Sequence, residues 1–310
     1  MAEEPNASPV PVLLVTGALG AGKTTVINAI LRADHGLSLA AVVNDFGTIN
    51  IDEAILSATG QPVYGLRNGC ICCSLQGDLL RTLRAILSVR AAPDAIVIEA
   101  SGVSDPGGII EALFDPVLCG VVRLDAVVTV VDAEDHDPAD ALWTAQVRAA
   151  DIVVLAKTAA VGPDGLAAIR AILTSMHKTL VLVADDQGSV PTDLLLDRDV
   201  RHPEAHTHDD GAPIADGRFL RLVWSSSTPL CLPRFQATVQ SLAPQLARAK
   251  GFLSIRDRPG QGFLFQLVGR RASLSPVASP VAGTHLVLIG RAEVFDAARA
   301  SAALESMNDA

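Results

Sequence analysis

The sequence predicts an α/β chain, with a mostly parallel sheet covered by helices in residues 1–196 and a smaller α+β unit after it. Three observations carry this. Short β-branched apolar runs alternate with segments of helical period, the βαβα pattern of a parallel sheet packed on both faces. A glycine-rich turn ending in Gly-Lys-Thr follows the first apolar run. The alternation then stops near Pro191, and a polar stretch with three His precedes a second set of apolar runs.

Taken in order, strands are expected at Val12 to Val15, Leu39 to Val43, Ala95 to Ile98, Ala126 to Val131, Ile152 to Leu155 and Leu180 to Val183, with a further short one at Val63 to Leu66. Helices are expected at Thr24 to Leu31, Leu79 to Val89, Ala139 to Ala149 and Leu166 to Leu173. Residues 197–217 have no hydrophobic period and read as a polar linker, leaving domains at 1–196 and 218–310. In the second domain, strands are expected at Phe219 to Val223, Gly251 to Ile255, Gly262 to Val268 and His285 to Ile289, and helices at Arg234 to Leu246 and Val294 to Leu304. No internal repeat stands out.

A length of 310 residues fits about two domains. Lys and Arg number 24 against 34 Asp and Glu, a net charge of −10, which argues against nucleic acid as a partner. Hydrophobic residues make up 49%, yet every apolar run is broken well before the roughly 18 residues of a membrane span, so no membrane partner is expected. Glu3 and Glu4 stand where a secretory leader would carry Lys or Arg, so the expected location is cytoplasmic. Five cysteines, three of them at Cys70, Cys72 and Cys73, point to metal or redox chemistry and not to a disulfide framework.

Gly17-Ala18-Leu19-Gly20-Ala21-Gly22-Lys23-Thr24 matches the P-loop pattern G-x-x-x-x-G-K-[ST], after a strand and opening a helix. The first domain is therefore expected to be a P-loop NTPase. Its glycines let backbone N–H groups wrap phosphates, Lys23 reaches the β/γ oxygens, and the Thr24 hydroxyl ligates Mg²⁺. Gly17, Gly20, Ala21, Gly22, Lys23, Thr24 and Thr25 are the expected nucleotide-holding residues. Glu99 closes a strand of the parallel sheet, where a carboxylate can act on Mg²⁺ or the attacking water; an ordinary surface Glu is the plain alternative. Three residues on, the Gly102 N–H can follow the γ-phosphate, so Lys23, Glu99 and Gly102 are the expected catalytic set.

In Asn68-Gly69-Cys70-Ile71-Cys72-Cys73, three sulfurs within four residues suit Zn²⁺ with one further donor, or Cu(I) at lower coordination. The alternative is that some are small buried hydrophobes, the reading preferred for the lone Cys119 and Cys231. His202, His206 and His208, with Asp209 and Asp210, read first as a solvated loop and second as loose metal capture.

The P-loop, Asn44-Asp45-Phe46-Gly47, the Cys-x-Cys-Cys run, Glu99-Ala100-Ser101-Gly102 with Asp105-Pro106, and Val131-Asp132-Ala133 occur in an order that resembles the CobW family of P-loop GTPases. Ala249-Lys250-Gly251 and Leu288-Ile289-Gly290-Arg291 are similar to its C-terminal domain. The resemblance implies a GTP-dependent metallochaperone that carries Zn²⁺, or Co²⁺, on the cysteines and exchanges it according to nucleotide state. It also implies a client metalloprotein met through the C-terminal domain, and leaves a homodimer open. Slow hydrolysis is expected, because no arginine finger can be assigned. A nucleotide-binding activator or assembly partner with little turnover is the alternative. A small-molecule kinase is remote, since no Arg-rich lid lies near the early motifs.

Two departures bear on chemistry. Asp45 stands where the family usually has Glu, and Thr48 where it has a second carboxylate, so a switch role carries over to Asp45 alone. The guanine-reading Asn-Lys-x-Asp is Ala156-Lys157-Thr158-Ala159 here, which keeps Lys157 to pack on the base but removes the acceptor for the guanine edge. Each lost charge-assisted bond costs about 1.5–3 kcal/mol, so a competition titration is expected to find GTP preferred over ATP by less than about a hundredfold. A larger preference would contradict this.

Overall fold

The computed structural model describes residues 9–43, 62–65, 75–88, 92–118, 120–196, 217–277 and 280–307, which fall into two compact units, one spanning Pro9–Leu196 and one following it. Among the described residues, no helix is long and apolar enough to cross a membrane.

The first unit is built on seven parallel strands: β1 (Val10–Thr16), β2 (Leu39–Val43), β3 (Val63–Gly65), β4 (Ala95–Glu99), β5 (Val122–Asp132), β6 (Ile152–Ala156) and β7 (Val181–Val183). Their spatial order is β3-β2-β4-β1-β5-β6-β7. Every residue of β1, β2, β4 and β6 is buried, as expected of strands covered on both faces. The chain leaves β1 toward β2 and later returns to the other side of β1 at β5. That reversal opens a crevice at the strands' C-terminal ends, where ligands of open α/β sheets bind.

Helices α1 (Lys23–Arg32), α2 (Leu75–Leu87), α3 (Gly107–Leu113), α4 (Ala141–Ala149), α5 (Pro163–Ser175) and α6 (Thr192–Leu195) cover the sheet. Leu79, Leu83 and Ile86 of α2 and Ile109 and Leu113 of α3 share one core with Val12, Leu14, Ile96 and Ile98. Trp143 and Val147 of α4 and Ile169 and Leu173 of α5 pack with Val153 and Leu155 of β6. Local chemistry sets the helix starts: the Asp140 carboxylate accepts the Leu142 N–H at 2.8 Å, and Pro163 opens α5 with Asp164 in its first turn.

The second unit is a five-stranded antiparallel sheet in the order β11-β10-β9-β12-β8, formed by β8 (Phe219–Ser226), β9 (Leu246–Ser254), β10 (Gly262–Val268), β11 (Arg271–Val277) and β12 (Thr284–Arg291). Helices α7 (Leu232–Leu242) and α8 (Ala297–Glu305) bury Phe235, Val239, Ala300 and Leu304 with Trp224, Leu253, Phe265 and Leu288. The Phe235 and Phe265 rings meet edge to face, with centroids 5.0 Å apart.

Several elements differ from the sequence expectation. α7 stops at Leu242, because Pro244 turns the chain into a 3₁₀ turn at Ala243–Gln245, and β9 then begins at Leu246, five residues before the expected Gly251. Two cations, Arg248 and Lys250, disguised that strand, although both are buried to 3% exposure. β11 was not expected; it is an edge strand whose Ser and Pro face solvent. α3 begins at paired glycines and lacked a helical signature. All of the expected linker except Gly217 lies outside the described residues.

Gly251 marks the tightest approach in the second sheet: a Cβ there would stand 1.8 Å from the His285 carbonyl oxygen. Gly251→Ala is therefore expected to destabilise this unit by about 1–3 kcal/mol. Urea unfolding followed by fluorescence tests it, since Trp224 reports this unit and Trp143 the other; unchanged Trp224 unfolding would contradict the clash.

Candidate nucleotide and metal site

The loop after β1 carries left-handed backbone at Gly20 (φ 77°) and Gly22 (φ 98°), a region where side chains are strained. Gly17 is required for a second reason: a Cβ on it would lie 2.2 Å from the Val130 carbonyl oxygen of β5. The loop therefore sits directly on the strand ends. Ala21 is buried and donates its N–H to the Ala18 carbonyl at 3.2 Å.

Lys23, 7% exposed, donates its Nζ to the carbonyls of Gly17 at 3.1 Å and Ala18 at 3.0 Å. Beside it the Thr24 hydroxyl donates to Glu99 Oε1 at 3.0 Å, across 75 positions of sequence. Glu99 is the last residue of β4 and is 4% exposed, which sets aside the ordinary surface reading. The Ala100 N–H binds the Val15 carbonyl at 2.8 Å and so carries the chain across the end of β1 into Ser101 and Gly102. A Cβ on Gly102 would lie 2.7 Å from Leu19 Cα and 2.9 Å from Lys23 Nζ. Lys23, Thr24, Glu99 and Gly102 thus converge on one spot. Hard oxygen donors from Thr24 and Glu99 fit Mg²⁺, and the ammonium beside the glycine-rich loop fits phosphate.

Lys157 follows β6 in a left-handed conformation (φ 56°), and its Nζ meets Asp132 Oδ2 at 2.6 Å. Asp132 Oδ1 also accepts the amides of Glu134 at 2.9 Å and Asp135 at 3.3 Å. Burial works to raise the Asp132 pKa, but the Lys157 hydrogen bond, the two amides and the Lys157 charge together hold it below the usual carboxylate value. The Asp132 hydrogen bond raises the Lys157 pKa against the effect of burial, helped by the charges of Asp132, Glu134 and Asp135. Ala156 approaches the P-loop: a Cβ on Gly22 would lie 3.6 Å from its own.

Sequence reasoning missed the loop after β7. The Asp185 carboxylate accepts the amides of Gln187 at 2.9 Å and Ser189 at 2.8 Å, and this turn brings Gly188 so close that a Cβ would stand 2.9 Å from the Thr25 carbonyl. A cavity of about 410 Å³ opens between α1 and this loop, lined by Thr25, Asn28, Arg32, Gln187 and Ser189 among others. The run Asp185-Asp186-Gln187-Gly188 was a readable turn signal.

Asp45, Thr48, Cys70, Cys72, Cys73, Cys119, His202, His206 and His208 lie outside the described residues. Cys231 departs from expectation: it is only partly buried, at the N-cap of α7, where its carbonyl accepts the Phe235 N–H at 3.0 Å. Asp105 accepts the Gly107 N–H at 2.8 Å and starts α3.

Residues 11–183 match the profile of the CobW/HypB/UreG nucleotide-binding domain, and residues 219–308 that of the cobalamin synthesis protein cobW C-terminal domain. The chain is 29% identical to a protein of Sinorhizobium named zinc chaperone CobW, over 94% of this chain and 96% of that one. It is 30% identical to a Pseudomonas aeruginosa protein of the same name, over 91% of this chain and 87% of that one. The zinc-regulated GTPase metalloprotein activator 1 of Schizosaccharomyces pombe is 30% identical over 58% of this chain and 46% of its own.

The depressed Asp132 pKa has a defined sign. Its stabilising contribution is present above the unfolded value of about 4 and is lost as pH falls through the lower folded value. Lys157, raised, contributes below its unfolded value of about 10.4 and loses that contribution as pH rises through the folded value. Asp132→Asn, which removes the cause of both shifts, is expected to flatten the acid decline and the alkaline decline alike, read from thermal midpoints across the range. Parallel curves for variant and wild type would show that the pair contributes nothing.

Proposed function

The chain belongs to the CobW/HypB/UreG family, and from that premise we propose that it is a GTP-dependent metallochaperone that delivers Zn²⁺, or a similar ion, to a client metalloprotein. The observation that carries the nucleotide half is the convergence of Lys23, Thr24, Glu99 and Gly102, held by contacts between β1, β4 and the P-loop. Names of relatives that join zinc, GTPase and chaperone support the metal half.

On this reading, the P-loop amides of Gly17 to Thr25 hold the phosphates, and phosphate oxygens take the places of the Gly17 and Ala18 carbonyls on Lys23. Thr24 and Glu99 would hold Mg²⁺, which would supply charge neutralisation to the phosphates. Gly102 follows the γ-phosphate, Asp45 answers the same signal from its own loop, and Lys157 packs on the base. The thiolates of Cys70, Cys72 and Cys73 take the cargo ion, for which soft sulfur is the suitable donor and the oxygen pair of the Mg²⁺ site is not. Hydrolysis releases the loops and changes cargo affinity. A hundredfold change needs only about 2.7 kcal/mol of coupling, within the usual allosteric range. The client meets the C-terminal unit. A second reading, an activator that binds nucleotide with little turnover, is favoured by Ala156 and Ala159 in the base-reading segment.

Titration of Zn²⁺ or Co²⁺ with and without GTP is expected to show about a hundredfold difference in Kd, lost in Cys72→Ala, with slow phosphate release stimulated by metal. Metal binding indifferent to nucleotide would reject the coupling. Coupling without phosphate release would select the second reading.

A further inference from the structure

We propose that Gln146 is a positioning residue for the phosphate-sensing loop: its side-chain amide clamps the backbone at Gly102 and Ser104 and holds Gly102 against the P-loop. This rests on the nucleotide reading above and adds a residue that neither the motifs nor the family assignment singled out.

Gln146 lies on α4 and is 1% exposed. Its Nε2 donates to the carbonyls of Gly102 and Ser104, each at 3.3 Å, across 44 and 42 positions of sequence. A primary amide has two hydrogens, and both are committed to this loop. The residue is itself anchored, because its main-chain carbonyl accepts the Thr129 hydroxyl of β5 at 2.8 Å. Ties within the loop are short in range: Ser104 N–H to the Ser101 carbonyl at 3.2 Å, and Val103 N–H to the Ser101 hydroxyl at 3.4 Å. The clamp therefore connects the loop to the sheet through a buried and rigid intermediary.

The other end of the side chain identifies the role. Gln146 Oε1 is buried without a hydrogen-bond partner. A Leu or Met would fill the same volume without that unsatisfied acceptor, so the amide is explained by what its nitrogen does. The loop it holds has almost no freedom of placement, since Gly102 already stands where a single added carbon would meet Leu19 and Lys23. Holding Gly102 there before a triphosphate arrives removes an ordering step from binding, which favours the ligand that carries a γ-phosphate over one that does not.

Gln146→Met, close in shape but without donors, tests the clamp, and Gln146→Glu sets a carboxylate against the same two carbonyls. Affinities for a non-hydrolysable GTP analogue and for GDP are measured with Mg²⁺ on the full chain, beside thermal midpoints. The triphosphate preference is expected to fall by about tenfold in Gln146→Met and further in Gln146→Glu, with GDP affinity held within about twofold. Folded variants with an unchanged preference, or with equal loss of both nucleotides, overturn the clamp. A wild-type chain that binds neither nucleotide overturns the proposed function, and the clamp's role with it. Should the variants not fold, hydrogen exchange on the wild type decides. Residues 101–105 are expected to exchange slowly before triphosphate is added, whereas fast exchange that slows only with triphosphate overturns the proposal.

Discussion

No side chain fits between the P-loop backbone and the strand ends on either side of it. Gly17 rests against the Val130 carbonyl of β5, and Gly102, after β4, rests against Leu19. β1 lies between those two strands in the sheet, so the loops that follow β1, β4 and β5 meet over one crevice. The register of β1 with β4, in which Val15 pairs with Glu99, then delivers the Glu99 carboxylate to the Thr24 hydroxyl. A bulkier residue at either contact would push the loops apart, and with them the oxygen donors proposed for Mg²⁺.

The proposed function separates two kinds of coordination chemistry along the chain. On the proposed reading, the oxygen donors at the P-loop serve phosphate and a hard cation, while the cysteines proposed for the cargo lie in another segment of sequence. After β6, Lys157 is engaged by Asp132 and not by a carboxylate of its own segment, since Ala159 stands where the family has Asp. Asp132 is thereby committed to a lysine and to two turn amides, which leaves the substitution at Ala159 uncompensated by that residue.

The parallel sheet and the glycine-rich P-loop were legible because their signals are local and strong. Buried parallel strands read as unbroken apolar runs, and the P-loop pattern is defined by neighbouring residues. Glu99 and Gly102 could be placed beside the P-loop because strand ends share a fixed place relative to the first loop. Gln146 was not legible, since an isolated Gln in a helix carries no pattern and its meaning depends on two carbonyls more than 40 positions away. The Asp185 turn was visible as a turn, but not as a neighbour of Thr25. In the second unit, β9 was hidden by Arg248 and Lys250, because alternation is read from polarity and these cations are buried; β11 was hidden by its solvent-facing edge.

The two carbonyls on Lys23 alter what a lysine-deletion variant measures. Substituting Lys23 by Ala, a natural choice for a protein meant to be silent toward nucleotide, strips the Gly17 carbonyl of a buried donor as well as removing the proposed phosphate ligand. An acceptor stranded in that way carries a penalty of about 1–3 kcal/mol, which the loop can escape only by rearranging. Such a protein is therefore a remodelled P-loop and not an inert version of this one, and on the proposed function any loss of client activation it displays would mix an absent nucleotide with a displaced Gly102.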